Sequence, residues 1–97
     1  MAKGYLVVTY RKISNPEKWQ AYAKLAGVCI PKLGGQFIIR GMPVKTYEKG
    51  LNERVVIVEF DSVQKAMAAH DSPEYAEALR ALGDGADRDM RVVEGLA

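Results

Sequence analysis

The segment RVVIVEF, residues 54 to 60, restricts the fold more than any other part of this chain. Its β-branched and aromatic residues favour an extended strand. Alternation puts Val55 and Ile57 on one face and Val56, Val58 and Phe60 on the other. A strand that is apolar on both faces has to be covered on both. The fold must bring a layer to each side of the sheet, or leave one side for a partner.

The flanking segments decide what those layers are. GYLVVTYRKI alternates Leu6, Val8 and Tyr10 against Tyr5, Val7 and Thr9, which predicts a first strand over residues 5 to 11. In SNPEKW, Asn15 can accept from the free N–H groups of a first helical turn, Pro16 suits the first helical position, and Glu17 favours the positive end of the dipole. From that start Trp19, Tyr22, Ala23, Ala26, Ile30 and Leu33 recur at three- and four-residue steps, while Leu25 and Val28 fall on the opposite side as surface or contact. Pro31 has no N–H for the Gly27 carbonyl and so kinks or ends the helix, and Gly34-Gly35 closes the segment.

QFIIRG predicts a short second strand with a bulge or bend at Gly41 and Pro43, and KGLNER a turn, so residues 36 to 60 read as one long hairpin. Asp61 or Ser62 caps a helix carrying Val63, Ala66, Met67 and His70 on one face. After a break at Asp71-Ser72, Tyr75, Ala78, Leu79 and Leu82 mark another helix that ends at Gly83. DGADRD reads as a polar loop and MRVVEG as a short final strand.

The order β-α-β-β-α-β is that of the split βαβ arrangement, an α+β, ferredoxin-like fold whose four-stranded antiparallel sheet carries its helices on one face. At 97 residues the chain is expected to form one domain, residues 1–97, around one core. Its helices leave the second face of RVVIVEF uncovered. The simplest cover is another copy of the chain, so the expected assembly is a homodimer whose two sheets face each other in a dimeric α/β barrel.

Composition removes several function classes. The 14 basic and 12 acidic residues leave +2, with no run of five like charges to act as a polybasic arm. RNA-binding modules of the same element order carry exposed aromatics on their third strand, where this chain has aliphatics, so no nucleic-acid partner is expected. The apolar run in MAKGYLVVTYRK is too short for a signal peptide or a span, which makes the cytoplasm the expected location and no membrane partner expected. One cysteine, Cys29, allows no internal disulfide, and with a single histidine there is no zinc-site spacing; neither metal nor cofactor is expected.

The candidate functional residues are few. Arg40, at the end of the apolar FIIRG strand, can hold a carboxylate or enolate-like anion if it faces a cleft, or else reach solvent. Glu59, inside a doubly covered strand, must be paired or neutral, and Arg40 is one available partner. His70 points toward the apolar stripe of its helix and reads either as a base or as a half-packed helix-end residue. Ser72 reads as a helix cap, since Ser-Pro-Glu supplies what a helix start needs. Tyr10, Trp19, Tyr22 and Tyr75 read as core or as the walls of an apolar cavity.

Taken together, NPEKWQAYAK, GGQFIIRG, ERVVIVEF, SPEYAEALR and the closing RVVEG resemble the DUF1330 family, small proteins of the dimeric α/β-barrel superfamily. The resemblance spans nearly the whole chain, and the pairing of IVEF with SPEY is its most specific part. It implies a ferredoxin-like fold and a dimer, and no activity. The chain departs from the family's usual pattern at His70. The functional expectation is a small-molecule-binding protein, with Arg40, Glu59 and His70 as polar groups and Tyr10, Trp19 and Tyr75 as walls, and with cofactor-independent proton transfer or oxygenation as its chemistry. The alternative is a non-enzymatic homodimer with a structural or stress-response role.

Overall fold

Each helix of this chain starts at a side chain that captures a free backbone N–H. A computed structural model describes residues 2–96. In it Asn15 accepts from Lys18 N at 3.1 Å ahead of α1 (Pro16–Lys32), Ser62 accepts from Lys65 N at 3.1 Å ahead of α2 (Val63–His70), and Ser72 accepts from Tyr75 N at 3.2 Å ahead of α3 (Pro73–Leu82). Pro31 falls in the last turn of α1, where it gives up the bond to the Gly27 carbonyl, and the helix ends one residue later.

The strands are β1 (Gly4–Ile13), β2 (Gln36–Gly41), β3 (Val55–Phe60) and β4 (Ala86–Glu94), paired antiparallel in the order β2-β3-β1-β4. The expected ferredoxin-like arrangement is present, with two corrections at its ends. β4 starts at Ala86 rather than Met90, so four of the six residues of DGADRD are strand and not loop, and β1 runs on to Ile13 to pair with them. Backbone pairing overrides the polar composition. Arg88 turns inward opposite Tyr10, while Asp87 turns outward and takes a 2.9 Å bond from Arg11.

Register sorts the sheet into two unlike faces. On the helix side, cross-strand rows run Phe37–Val58–Leu6–Val92 and Arg40–Val56–Val8–Met90. These meet Tyr22, Ala26 and Ile30 of α1, Ala66 and Ala69 of α2, and Tyr75, Ala78 and Leu82 of α3 to make the core. The other face carries the rows Ile39–Ile57–Val7–Arg91 and Glu59–Tyr5–Val93, with no helix over them.

A bulge decides the side on which Arg40 emerges. In a regular strand Phe37 and Arg40 would point to opposite faces. The register of β2 against β3 slips by one between Phe37 and Ile39, leaving Ile38 as the extra residue, so both side chains reach the helix face. No helix among the described residues is long and apolar enough to cross a membrane.

Candidate functional site

Small side chains on α1 create the site. Ala23, Ala26 and Gly27 face Val8 and Val56 across the layer boundary, and α1 packs chiefly on α3 and only lightly on β2. The result is a cleft of about 220 Å³ between α1 and the β2–β3 side of the sheet. Leu6, Ile30, Phe37 and Val58 form its apolar end. An apolar cavity of about 150 Å³ is enough for a benzene ring, so this one has room for a ring with a substituent.

The other end of the cleft is polar. Trp19 Nε1–H donates to the Tyr10 hydroxyl at 3.1 Å, and both side chains line the wall. The Tyr10 oxygen is thereby used as an acceptor, and its own proton has no acceptor among the described residues. The Arg54 guanidinium lies over the Trp19 ring at 5.0 Å, and that of Arg40 over Phe37 at 4.5 Å. Arg40 reaches from β2 toward α1, where its Nη1 stands 3.9 Å from the position a Cβ on Gly27 would take.

Behind this wall stands a second polar group. Arg88 lies over the Tyr22 ring at 4.7 Å and the Tyr10 ring at 5.6 Å, and its Nη1 donates to the Tyr22 hydroxyl at 3.0 Å. Tyr22 and Tyr75 share a 2.7 Å hydroxyl contact with their rings edge to face. Burial, and after it the neighbouring Tyr75, pushes the Tyr22 phenol far above its ordinary value, so it stays neutral. Burial also raises the Cys29 thiol, which makes it a poor nucleophile.

Of the residues singled out from the sequence, the structure brings Tyr10, Trp19, Tyr22 and Arg40 together in the cleft. Tyr75 is buried in the core behind it and touches the site only through Tyr22. Arg40 and Glu59 form no pair, because Arg40 sits opposite Val56 and Glu59 opposite Gln36 on the other face. Glu59 instead accepts from the Tyr5 hydroxyl at 3.0 Å and lies 3.6 Å from Lys3. That hydrogen bond, more than burial, holds the Tyr5 phenol above its ordinary value. His70 ends α2 away from the cleft, with its Nδ1 3.0 Å from Asp71 Oδ1 and its ring against Tyr75. Asp71 can reach its sequence neighbour because it is already the cap residue outside the helix.

Sequence reasoning missed Arg54 and Arg88. Arg54 shares the parity of Val56 and Val58 in RVVIVEF, a signal sufficient to place it on the helix face. Arg88 shares the parity of Met90 and Val92, and was hidden by reading its segment as a loop. The cleft thus offers hydrogen-bond donors and an apolar bed. Among the described residues that line it there is no carboxylate, imidazole or thiol to accept a proton, and no group of three or more metal-ligating side chains lies together among the described residues.

The family model DUF1330, a domain of unknown function, matches residues 3–96. Among solved structures the chain is similar to a protein of unknown function from Rhodopseudomonas palustris, with 20% identity and a TM-score of 0.73 over 99% of this chain and 84% of that one. It is similar to a candidate antibiotic biosynthesis monooxygenase from Caulobacter crescentus, with 12% identity and a TM-score of 0.66 over 99% and 92%. It is also similar to a dimeric ferredoxin-like protein of unknown function from Thermobifida fusca, with 20% identity and a TM-score of 0.60 over 96% and 91%. At these identities the likeness shows the fold. No curated protein matches the sequence.

Proposed function

The chain belongs to the DUF1330 family, and from that premise we propose that it is a small-molecule-binding homodimer whose ligand, ring-sized and mainly apolar, lies in the cleft between α1 and the sheet. The observation that carries this reading is the cleft itself: a cavity of about 220 Å³ with an apolar bed at one end and, at the other, a tyrosine proton without an acceptor among the described residues. Most binding sites combine a concave apolar surface with a few convergent polar groups in this way. Donors without a base favour recognition over acid–base turnover. The similar fold of a candidate monooxygenase leaves oxygenation as the chemistry to look for once a ligand is known.

Trp19 makes the test simple. It is the only tryptophan in the chain and it lines the cleft, so its indole N–H is a unique reporter. A panel of neutral and anionic benzene derivatives titrated into ¹⁵N-labelled protein should shift that resonance saturably for at least one member. Gly27→Leu, which places a branched side chain in the cleft, should abolish the shift while circular dichroism stays that of the parent. A panel in which no member moves the indole resonance would overturn the reading.

A further inference from the structure

The six arginines of this chain divide into two sets of three. Arg11 pairs with Asp87 and Asp89, Arg91 with Asp89, and Arg80 with Glu77, all on the outer surface. Arg40, Arg54 and Arg88 have no acidic partner among the described residues; each lies over at least one aromatic ring instead, Arg40 and Arg54 lining one cleft and Arg88 standing behind its wall. Stacking occupies the face of a guanidinium and leaves its in-plane N–H fork free, the geometry that takes a carboxylate. The acids are not scarce, since the chain has 12 of them, but none lines the cleft among the described residues.

We propose that the ligand of this cleft is an amphipathic monoanion, a ring or short hydrocarbon bearing one carboxylate or phenolate-type oxygen, with its charge between Arg40, Arg54 and the Tyr10 hydroxyl. This rests on the cleft being a binding site and adds the class of ligand. Orientation follows from how the walls are distributed. The hydrocarbon lies toward Leu6, Ile30, Phe37 and Val58, and the oxygen meets the guanidinium forks and the tyrosine proton at the other end. Arg88 does not line the cleft. It acts through Tyr10 and Tyr22, as a positioning residue that fixes both phenols and adds positive potential behind them. Arg54 and Arg88 are half-buried and act at a lower effective dielectric than surface charges, while Arg40 closes the polar end from the exposed rim; three positive charges around one cleft disfavour a cationic ligand.

Benzoate, benzamide and benzylammonium share one ring and differ in charge, so they separate the ligand class from binding itself. Read by the Trp19 indole resonance, benzoate should bind at least tenfold more tightly than benzamide, and benzylammonium should not saturate. Arg40→Gln and Arg54→Gln should each weaken benzoate several-fold more than benzamide, so that the benzoate advantage shrinks, and raising the ionic strength should act in the same direction. Equal affinity for benzoate and benzamide, or a preference for benzylammonium, would overturn the anion assignment and leave the binding site standing. Failure of all three to bind would remove both.

Discussion

Gly27 sits inside α1, where glycine is less favourable than alanine by about 0.8–1.0 kcal/mol, and an added Cβ would meet nothing nearer than Arg40 Nη1 at 3.9 Å. The room there serves the cleft and not the helix. Gly27→Ala should therefore raise stability by roughly 0.5–1 kcal/mol. Gly35 is the opposite case, since a Cβ there would stand 2.7 Å from Ile30 Cγ2, 2.8 Å from Phe60 Cζ and 2.8 Å from Val58 Cγ1. Phe60 and Val58 are fully enclosed and cannot swing out of the way. Gly35→Ala should cost about 1–3 kcal/mol, the usual range for an overpacked core. Urea unfolding of both variants at one protein concentration checks the pair of signs; a destabilised Gly27→Ala would show that the helix needs glycine for a reason other than space.

At the scale of elements, Ser72 does more than start α3. Its hydroxyl donates to the Ala69 carbonyl at 2.7 Å while accepting from Tyr75 N at 3.2 Å, so one side chain closes α2 and opens α3. Ser72→Ala should lose a cap worth about 1 kcal/mol and the shorter of two hydrogen bonds to the Ala69 carbonyl, which keeps the backbone N–H of residue 72 at 3.3 Å, for a total of roughly 1–2 kcal/mol. Thermal melting should fall by several degrees, and Ser72→Thr should recover most of the loss; an unchanged midpoint for Ser72→Ala would remove Ser72 from the joint. Caps of this kind were legible in the sequence because they depend on a few adjacent residues, and Asn15-Pro16 and Ser72-Pro73 mark helices that begin where they predict. Features that depend on pairing were not. The bulge at Ile38 has no glycine or proline to announce it, yet it alone puts Arg40 in the cleft beside Phe37. The first half of β4 is polar, and only its partner β1 makes it a strand and turns Arg88 inward. Glu59 stands out in the sequence as a carboxylate inside an apolar strand and His70 as the single histidine, but their partners, Tyr5 and Asp71, lie outside the cleft.

For the whole molecule the unlike faces of the sheet matter most. Val7, Ile39 and Ile57 form a continuous apolar row on the face without helices, ending at Arg91, which is held by Asp89 through two 2.9 Å bonds. Ile39 and Val93 are about half exposed, at 48% and 47%, and Met42, Val44, Tyr47 and Leu51 of the 42–54 loop stand out further beyond the same sheet. Exposed apolar side chains grouped on one face are what an interaction site presents, and in the proposed homodimer a second copy would offer the same face, so that the contact would close on itself about a two-fold axis. The fold of the dimeric Thermobifida fusca protein is compatible with that arrangement. Light scattering at micromolar concentration should give the mass of two chains. Ile57→Lys places a charge at the centre of the row without touching the helix face or the cleft, so it should give the mass of one chain with helical content retained and with probe binding at Trp19 weakened only if the assembly supports the cleft. A parent protein with the mass of one chain at that concentration would overturn the homodimer, and the open face would then need a different partner.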